Sequence, residues 1–448
     1  MSMTTAVKKI RNFITGGSAL RRHLVRAAAG SLALSLSSKT LMLLTSIFLA
    51  RWLGAESYGF YVSSMAVLTL LSVFATLGFP TLVIRLFSSY RAHQEWGLMR
   101  GLLERTGQLT LIASLLLAGL GAIVVWLLSD SLASSYTYSL WWAMALLPIV
   151  ALGALRSALL RGLHYVVLGQ LSENLLTPGL FMIFISAWVG FSQALSLELT
   201  SETVMAARFI AAAISFLVGA WLLVRRIPKE IRNSTPRFEM KAWSKSSIPL
   251  LFIVGTGIIG SQINMLILSG LQSPESAGIY QVATRGAELV AFSLVVVNMA
   301  IQPTISKLYS LGEMQNLQRV ITIAARGTLG LAIPFALILG VFAEPLLGTV
   351  FGSEFERGAS SLTILCVAQV IAAASGSVGQ ILYMTGHERD ASIGIFIGFA
   401  VNIIASLIFI PIWDIAGAAT ASALSIISCE VVLAYLVRKR TGLNSTVF

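Results

Sequence analysis

Arg285 stands four residues after Gln281 and three before Glu288, inside a long apolar run, so on a helix the three side chains share one face. A guanidinium there can grip a phosphate with two parallel donors, a geometry that an ammonium cannot match. Glu288 can hold Arg285 in place, or exchange a proton or cation. The competing reading is a self-neutralised ion pair buried for packing. Lys39 poses the same choice in an earlier run. Ser35, Lys39, Met42 and Ser46 follow the i, i+4, i+7, i+11 rhythm of one helix face. That suits a cationic anchor for an anionic head group, or a lysine tied to a neighbouring carbonyl or acid.

Other polar residues sit in apolar surroundings. Gln262 and Asn264 can hydrogen-bond a sugar or phosphate, or bond helix to helix. Arg208 lies near the outer end of its span, early in the run, where it can line a site or snorkel to the interface. Glu173 and Glu430 are candidate coupling acids or packing partners. Gly255, Gly257 and Gly260 have GxGxxG spacing, but a dinucleotide fingerprint needs a strand before it and a helix after. Inside an apolar helix these glycines serve bending or close helix approach instead. All four histidines fall in polar tails or loops, and no His/Asp/Ser or His/Cys cluster is visible, so catalysis has no candidate machinery. Cys366 and Cys429 stand singly in apolar runs, which argues against a disulfide framework or structural zinc.

The elements that carry these residues follow from composition. Only 11% of the 448 residues are charged, 56% are hydrophobic and mean hydropathy is +0.84. A soluble domain carries about a quarter charged residues, so the solvent must be lipid. Crossing its hydrocarbon core takes about 20 apolar residues per helix. Twelve apolar segments are visible, at 29–50, 59–84, 106–128, 139–155, 168–190, 203–224, 247–271, 278–301, 327–343, 360–385, 391–411 and 415–437. They are continuous, unlike the alternating strands of a membrane barrel, and so predict an all-α integral membrane protein with 12 transmembrane helices. The basic N-terminus precedes a very long apolar run with no clear small-residue cleavage site, which predicts a first span and not a removable signal.

Charge sets the expected topology. The N-terminal tail, the even-numbered loops and the C-terminal tail together hold 26 Lys and Arg, whereas the odd-numbered loops hold only Arg51 and Arg357. Lys39, Arg208 and Arg285 make up the remainder of the 31. By the positive-inside rule both termini are cytoplasmic. The net charge of +12 is spread over many short loops, without a basic patch interleaved with aromatics, so a nucleic-acid partner is excluded.

The chain reads as folded twice. Glu56, Ser57, Gly59 and Tyr61 recur as Glu275, Ser276, Gly278 and Tyr280, 219 positions later, each set joining the first and second spans of its half. Gly162 and Gly386 echo one another 224 positions apart. A polar stretch at the midpoint divides the spans six and six. This predicts an N-terminal six-helix lobe over 1–224, a cytoplasmic linker over 225–246 and a C-terminal six-helix lobe over 247–448. The lobes would relate by a pseudo-twofold along the membrane normal, leaving a cleft that can open to either side.

Three stretches add a family resemblance that covers essentially the whole chain. "ARWLGAESYGFYVSSMAVLTLLSVFATLGFPTLVIR" at 50–85 resembles the opening of polysaccharide and O-antigen lipid-carrier flippases. "YRAHQEWGLMRGLLER" at 90–105 resembles the cytoplasmic loop that follows there, and "IWDIAGAATASALSIISCEVVLAYLVRKRTG" at 412–442 is similar to the family's last span. These proteins belong to the multidrug/oligosaccharidyl-lipid/polysaccharide exporter superfamily. The resemblance implies a non-enzymatic flippase in a bacterial inner membrane. It would move a polyprenyl-diphosphate-linked oligosaccharide from the inner to the outer leaflet by alternating access, with the lipid tail in a side portal at spans one and eight. It also implies membrane lipid, a polysaccharide polymerase and chain-length machinery as partners. No cofactor is expected beyond a coupling proton or sodium ion. Lys39, Arg285, Gln262, Asn264 and Arg208 would then bind substrate, and Glu288, Glu173 or Glu430 would serve coupling. A multidrug exporter of the same superfamily is the alternative, but it favours an acidic, aromatic-lined cavity. A membrane polymerase would need a sizeable outer loop with catalytic groups, and no outer loop here exceeds about sixteen residues.

Overall fold

The computed structural model describes residues 19–195 and 199–446, and among them every regular element is a helix. In chain order these are α1 (Ala19–Ala75), α2 (Phe79–Ala92), α3 (Trp96–Leu128), α4 (Ser134–Gly162), α5 (Val166–Leu171), a π turn (Ser172–Leu176), α6 (Thr177–Leu195) and α7 (Ser201–Arg226). Then come α8 (Lys229–Asn233), α9 (Met240–Leu271), α10 (Pro274–Ser310), α11 (Met314–Val341), α12 (Ala343–Val350), α13 (Ala359–Ser375), α14 (Val378–Met384) and α15 (Glu388–Thr441). The basic tail residues Lys8, Lys9 and Arg11 lie outside the described residues.

Ten of the described helices are long and apolar enough to cross a membrane, against the twelve segments expected. Two of the ten account for the difference, because each contains a backbone break. α1 breaks at Gly54 (φ 73°, ψ 172°) and α15 at Asp414 (φ 49°, ψ −121°). Each break falls between two segments that the hydropathy pattern had separated. Glycine adopts the positive φ at Gly54 without steric cost. Asp414 accepts a hydrogen bond from Ser276 Oγ at 3.0 Å, which ties its turn to the start of α10.

Other boundaries differ from the pattern for local reasons. The second segment does not run on to residue 84: α1 stops at Ala75, and a turn with positive φ at Leu77 and Gly78 starts α2. A side chain at Gly78 would overlap the backbone of Ser247 and Leu251, so α9 can cross here only over glycine. The fifth segment is interrupted by the π turn, and the tenth divides at Gly376 (φ 76°) into α13 and α14. α4 extends past the expected 155 and takes Arg156 inside, where it is 5% exposed; the loop position assigned to that arginine is therefore corrected. Residues 225–246, expected as a linker, are packed down. Arg100 donates to the carbonyls of Arg232 (2.8 Å) and Ser234 (2.7 Å), and the buried Trp243 donates to the Tyr90 hydroxyl (3.0 Å).

Helix ends recur in one backbone form. Gln94 and Gly312, 218 positions apart, both take positive φ after a helix end, as do His164 and Gly386, 222 apart. Each turn is closed by the same bond from an amide to the carbonyl five residues earlier: Glu95 to Tyr90, Glu313 to Leu308, Tyr165 to Leu160 and His387 to Leu382. These are four copies of one helix-ending motif. The Glu-Ser-x-Gly-x-Tyr sequences also meet in space. A Cβ on Gly59 would collide with the Pro274 carbonyl, and one on Gly278 would approach Ala55 O and Gly59 N at 2.8 and 2.9 Å. The largest core cluster, which includes Tyr58, Phe181, Ile279 and Ile415, draws on both halves of the chain around this crossing.

Candidate functional site

Between α1, the π turn, α6, α7, α9 and α10 lies a cavity of about 300 Å³. Its walls include Ser46, Tyr58, Tyr61, Glu173, Arg208, Gln262 and Arg285. Next to it, α1 and α10 enclose a groove of about 390 Å³ lined by Leu36, Lys39, Leu43, Glu288, Leu289 and Phe292. Met42 and Arg285 belong to both. The two spaces therefore share a wall, with polar groups on one side and mostly apolar groups on the other.

Arg285 is held from two sides. Nη1 bridges both oxygens of Glu288, at 2.9 and 3.0 Å, and the side chain is 18% exposed. With the Gln281 amide oxygen turned toward it, Gln281 accepts from Nη2 at 2.9 Å and Nε at 3.0 Å. The Gln281, Arg285 and Glu288 face read from spacing is thus one hydrogen-bonded unit. Its rigidity aims the guanidinium at the cavity, while Glu288 is more open to the groove.

Lys39 is exposed in the groove, and Arg208 is half-buried with its guanidinium 5.1 Å from the Phe181 ring centroid. Neither pairs with a carboxylate among the described residues. Gln262 reaches the same cavity from α9. Tyr61, backed by the buried Phe181 ring with centroids 6.2 Å apart, faces it beside Tyr58, whose hydroxyl bonds Ser46 at 2.6 Å. Lys39, Arg208, Arg285 and Gln262, distant in sequence, are brought to one pair of connected spaces.

Asn264 is not among them. It is 3% exposed in a closed network: its amide donates to Ser422 Oγ (2.6 Å), Tyr280 OH (3.3 Å) and the Ala418 carbonyl (3.3 Å), and its oxygen accepts from Ser406 (2.6 Å). With its amide oxygen and its donors directed at protein, it joins α9, α10 and α15 and does not line the cavity. Two residues apart on α9, Gln262 and Asn264 point about 200° apart, which explains why one is at the site and the other is not.

Glu173 lies on the π turn and lines both the main cavity and a smaller pocket of about 230 Å³. There it faces Arg156 at 3.6 Å. Arg156 was missed by sequence reading because it stands at the end of an apolar run, where a loop position is the simpler inference. Its Nη1 donates to the carbonyls of Ser215 (3.2 Å) and Phe216 (2.7 Å) on α7. The absence of side chains at Gly219 and Gly153 makes room for this arginine and for Glu173 respectively. Glu430 stands elsewhere, in a separate pocket of about 250 Å³ between α9 and α15.

Charge in the connected spaces is not balanced. Glu288 compensates Arg285, and Glu173 compensates Arg156. Lys39 and Arg208 remain as two cations without acidic partners among the described residues. Taken together, the connected spaces can attract an anion, and the apolar part of the groove, with Leu36, Leu43, Leu289 and Phe292, can hold a hydrocarbon tail.

Comparisons with known proteins agree with this architecture. Residues 24–309 match the family model described as polysaccharide biosynthesis protein, and residues 180–447 match that described as lipid II flippase MurJ. A curated relative, a probable low-salt glycan biosynthesis flippase from Haloferax volcanii, is 28% identical over 169 residues. That alignment spans 38% of this chain and 36% of the relative. Among solved structures, lipid II flippase MurJ in an inward closed conformation superposes with a TM-score of 0.71 at 16% identity, covering 91% of this chain and 87% of that one. An inward-facing multidrug resistance MATE family transporter superposes with a TM-score of 0.69 at 14% identity, covering 92% and 98%. At such identities the superpositions establish a common fold.

Proposed function

Because the chain belongs to the polysaccharide biosynthesis protein family, within the multidrug/oligosaccharidyl-lipid/polysaccharide exporter superfamily, we propose that it is a flippase for polyprenyl-diphosphate-linked oligosaccharides. The observation that carries this reading is the pairing of a cation-rich cavity with an apolar groove across the shared wall of Met42 and Arg285. The diphosphate would sit between Arg285, Arg208 and Lys39. The sugar would meet Gln262 and the Tyr58–Tyr61 wall, and the prenyl tail would lie in the groove between α1 and α10.

We place the protein in the plasma membrane with twelve spans, counting each broken helix as two, in two six-helix lobes with both termini cytoplasmic. Movement would run from the inner to the outer leaflet by alternating opening of the lobes. The end carrying the two repeat turns, outer in this topology, is closed in this conformation. Arg51 donates to the carbonyls of Val350 (2.8 Å) and Thr349. Glu354 accepts from the Ala55 amide at 2.6 Å, which joins the two halves of the chain a second time. A multidrug exporter of the same fold is the second reading, and the aromatic wall favours it. The surplus of two cations disfavours cationic drugs.

Purified protein in vesicles, supplied with a fluorescent short-chain polyprenyl-diphosphate disaccharide, provides the test. Wild type should equilibrate the probe between leaflets. Arg285→Ala, which loses charge-assisted contacts of about 1.5–3 kcal/mol, should slow it about 10- to 100-fold while inserting at wild-type levels. Equal rates would sink the assignment, and selective movement of cationic dyes would favour the exporter.

A further inference from the structure

Glu430 is an acid that the cavity does not use. It sits on the second arm of α15, and its Oε2 is buried without a hydrogen-bond partner. The pocket of about 250 Å³ before it is walled by Thr256, Gly257 and Gly260 of α9, by Gly398 and Asn402 of the first arm of α15, and by Ser425 and Cys429 of the second. A Cβ on Gly257 would meet nothing within 4 Å. Of the three spaced glycines in α9, Gly257 thus leaves open space in the pocket that Glu430 lines, whereas Gly255 packs on Val73 and Gly260 on Phe399.

The surrounding chemistry decides what the void can take. A hard metal cation needs about six oxygen ligands. Here the neutral groups are already engaged with one another. Asn402 donates to Gly260 O (3.1 Å) and accepts from Ser406 (3.2 Å), Ser425 donates to Gly398 O (2.7 Å), and Thr256 donates to Phe252 O (2.7 Å). No group of three or more His, Cys, Asp or Glu side chains forms a metal-binding set among the described residues. No charged side chain lines the pocket opposite Glu430. Its titratable neighbours are the Cys429 thiol on the same helix and Tyr383 of α14 on the Cys429 side. An isolated carboxylate in such a site is costly, and the simplest way to remove its charge is to add a proton.

We propose that the Glu430 pocket is a proton-binding site, with the carboxyl group protonated in this conformation and exchanging with water as α9 moves. The carboxylate takes its proton from hydronium, forming the O–H bond and leaving water, and returns it the same way. The link to transport is geometric. α9 presents Gln262 to the central cavity and Thr256, Gly257 and Gly260 to Glu430, so a shift of this helix is felt at both. That link, unlike the proton site itself, rests on the flippase reading.

Infrared difference spectra of the full chain in lipid nanodiscs, recorded from acid to neutral pH, test the site. Wild type should show a protonated-carboxyl band persisting well above the ordinary glutamate range of about pH 4.3. The band should be lost in Glu430→Gln, kept with a shifted frequency in Glu430→Asp, and unaltered when sodium replaces choline. A band that survives in Glu430→Gln, or one that sodium removes, overturns the proposal. Adding geranylgeranyl diphosphate in weak buffer then tests the link: wild type should exchange about one proton per bound diphosphate with the medium. Glu430→Gln should exchange none, and wild-type exchange by that variant breaks the link. If the diphosphate does not bind wild type at all, the cavity reading fails while the infrared band still decides Glu430.

Discussion

Lys39 differs from Arg285 in what its removal would reveal. Arg285 is locked by Gln281 and Glu288, so its loss also frees a carboxylate at the cavity edge. Lys39 is exposed and has no acidic partner among the described residues, so Lys39→Ala removes a single charge and little packing. Affinity for a short polyprenyl diphosphate should fall several-fold to about tenfold, and the loss should shrink as salt rises. Calorimetry at two ionic strengths checks this, and an unchanged affinity would remove Lys39 from the site. The sequence made these residues legible because a charge in an apolar run is conspicuous. Asn264 shows where that signal stops, since a neutral amide looks the same whether it faces substrate or the serines of α15. Arg156 shows the opposite failure, a buried charge disguised by its position at a segment end.

At the scale of elements, hydropathy separated the apolar segments on either side of Gly54 and Asp414 but could not show that dihedral angles alone make those breaks. Gly54 and Asp414 interrupt α1 and α15 without interrupting the helical hydrogen-bonded course enough to separate them. Nor could it see the π turn at Ser172–Leu176, since one surplus residue in a helix leaves composition unchanged. The repeated glycines were legible as an echo but not as a contact. Their role gives a contrast that stability measurements can read. Gly59→Ala puts a methyl group into the backbone of Pro274, and should lower unfolding free energy by about 1–3 kcal/mol. Gly107→Ala, in α3 with open space around it, should be neutral or raise stability by up to about 1 kcal/mol. Thermal unfolding of the two variants in the same detergent decides it. Equal shifts would mean that the crossing of α1 and α10 is not tight.

For the whole molecule, the uncompensated pair Lys39 and Arg208 has an electrical consequence. In the proposed cycle, the carrier loaded with a diphosphate of two negative charges would be close to neutral at its centre, and its outward stroke would move little net charge. Empty, it would carry two positive charges back. An inside-negative potential does work of about 2.3 kcal/mol per charge per 100 mV, so the returning carrier gains up to about twice that. Voltage would then act as a spring that resets the protein and leave the loaded stroke almost untouched. Current transients from oriented protein on a supported membrane should therefore be larger without substrate than with it. Lys39→Ala or Arg208→Ala should each remove about half of the empty-carrier displacement charge. A transient that grows on loading would reverse the assignment, and the membrane would be pulling on the cargo and not on the machine.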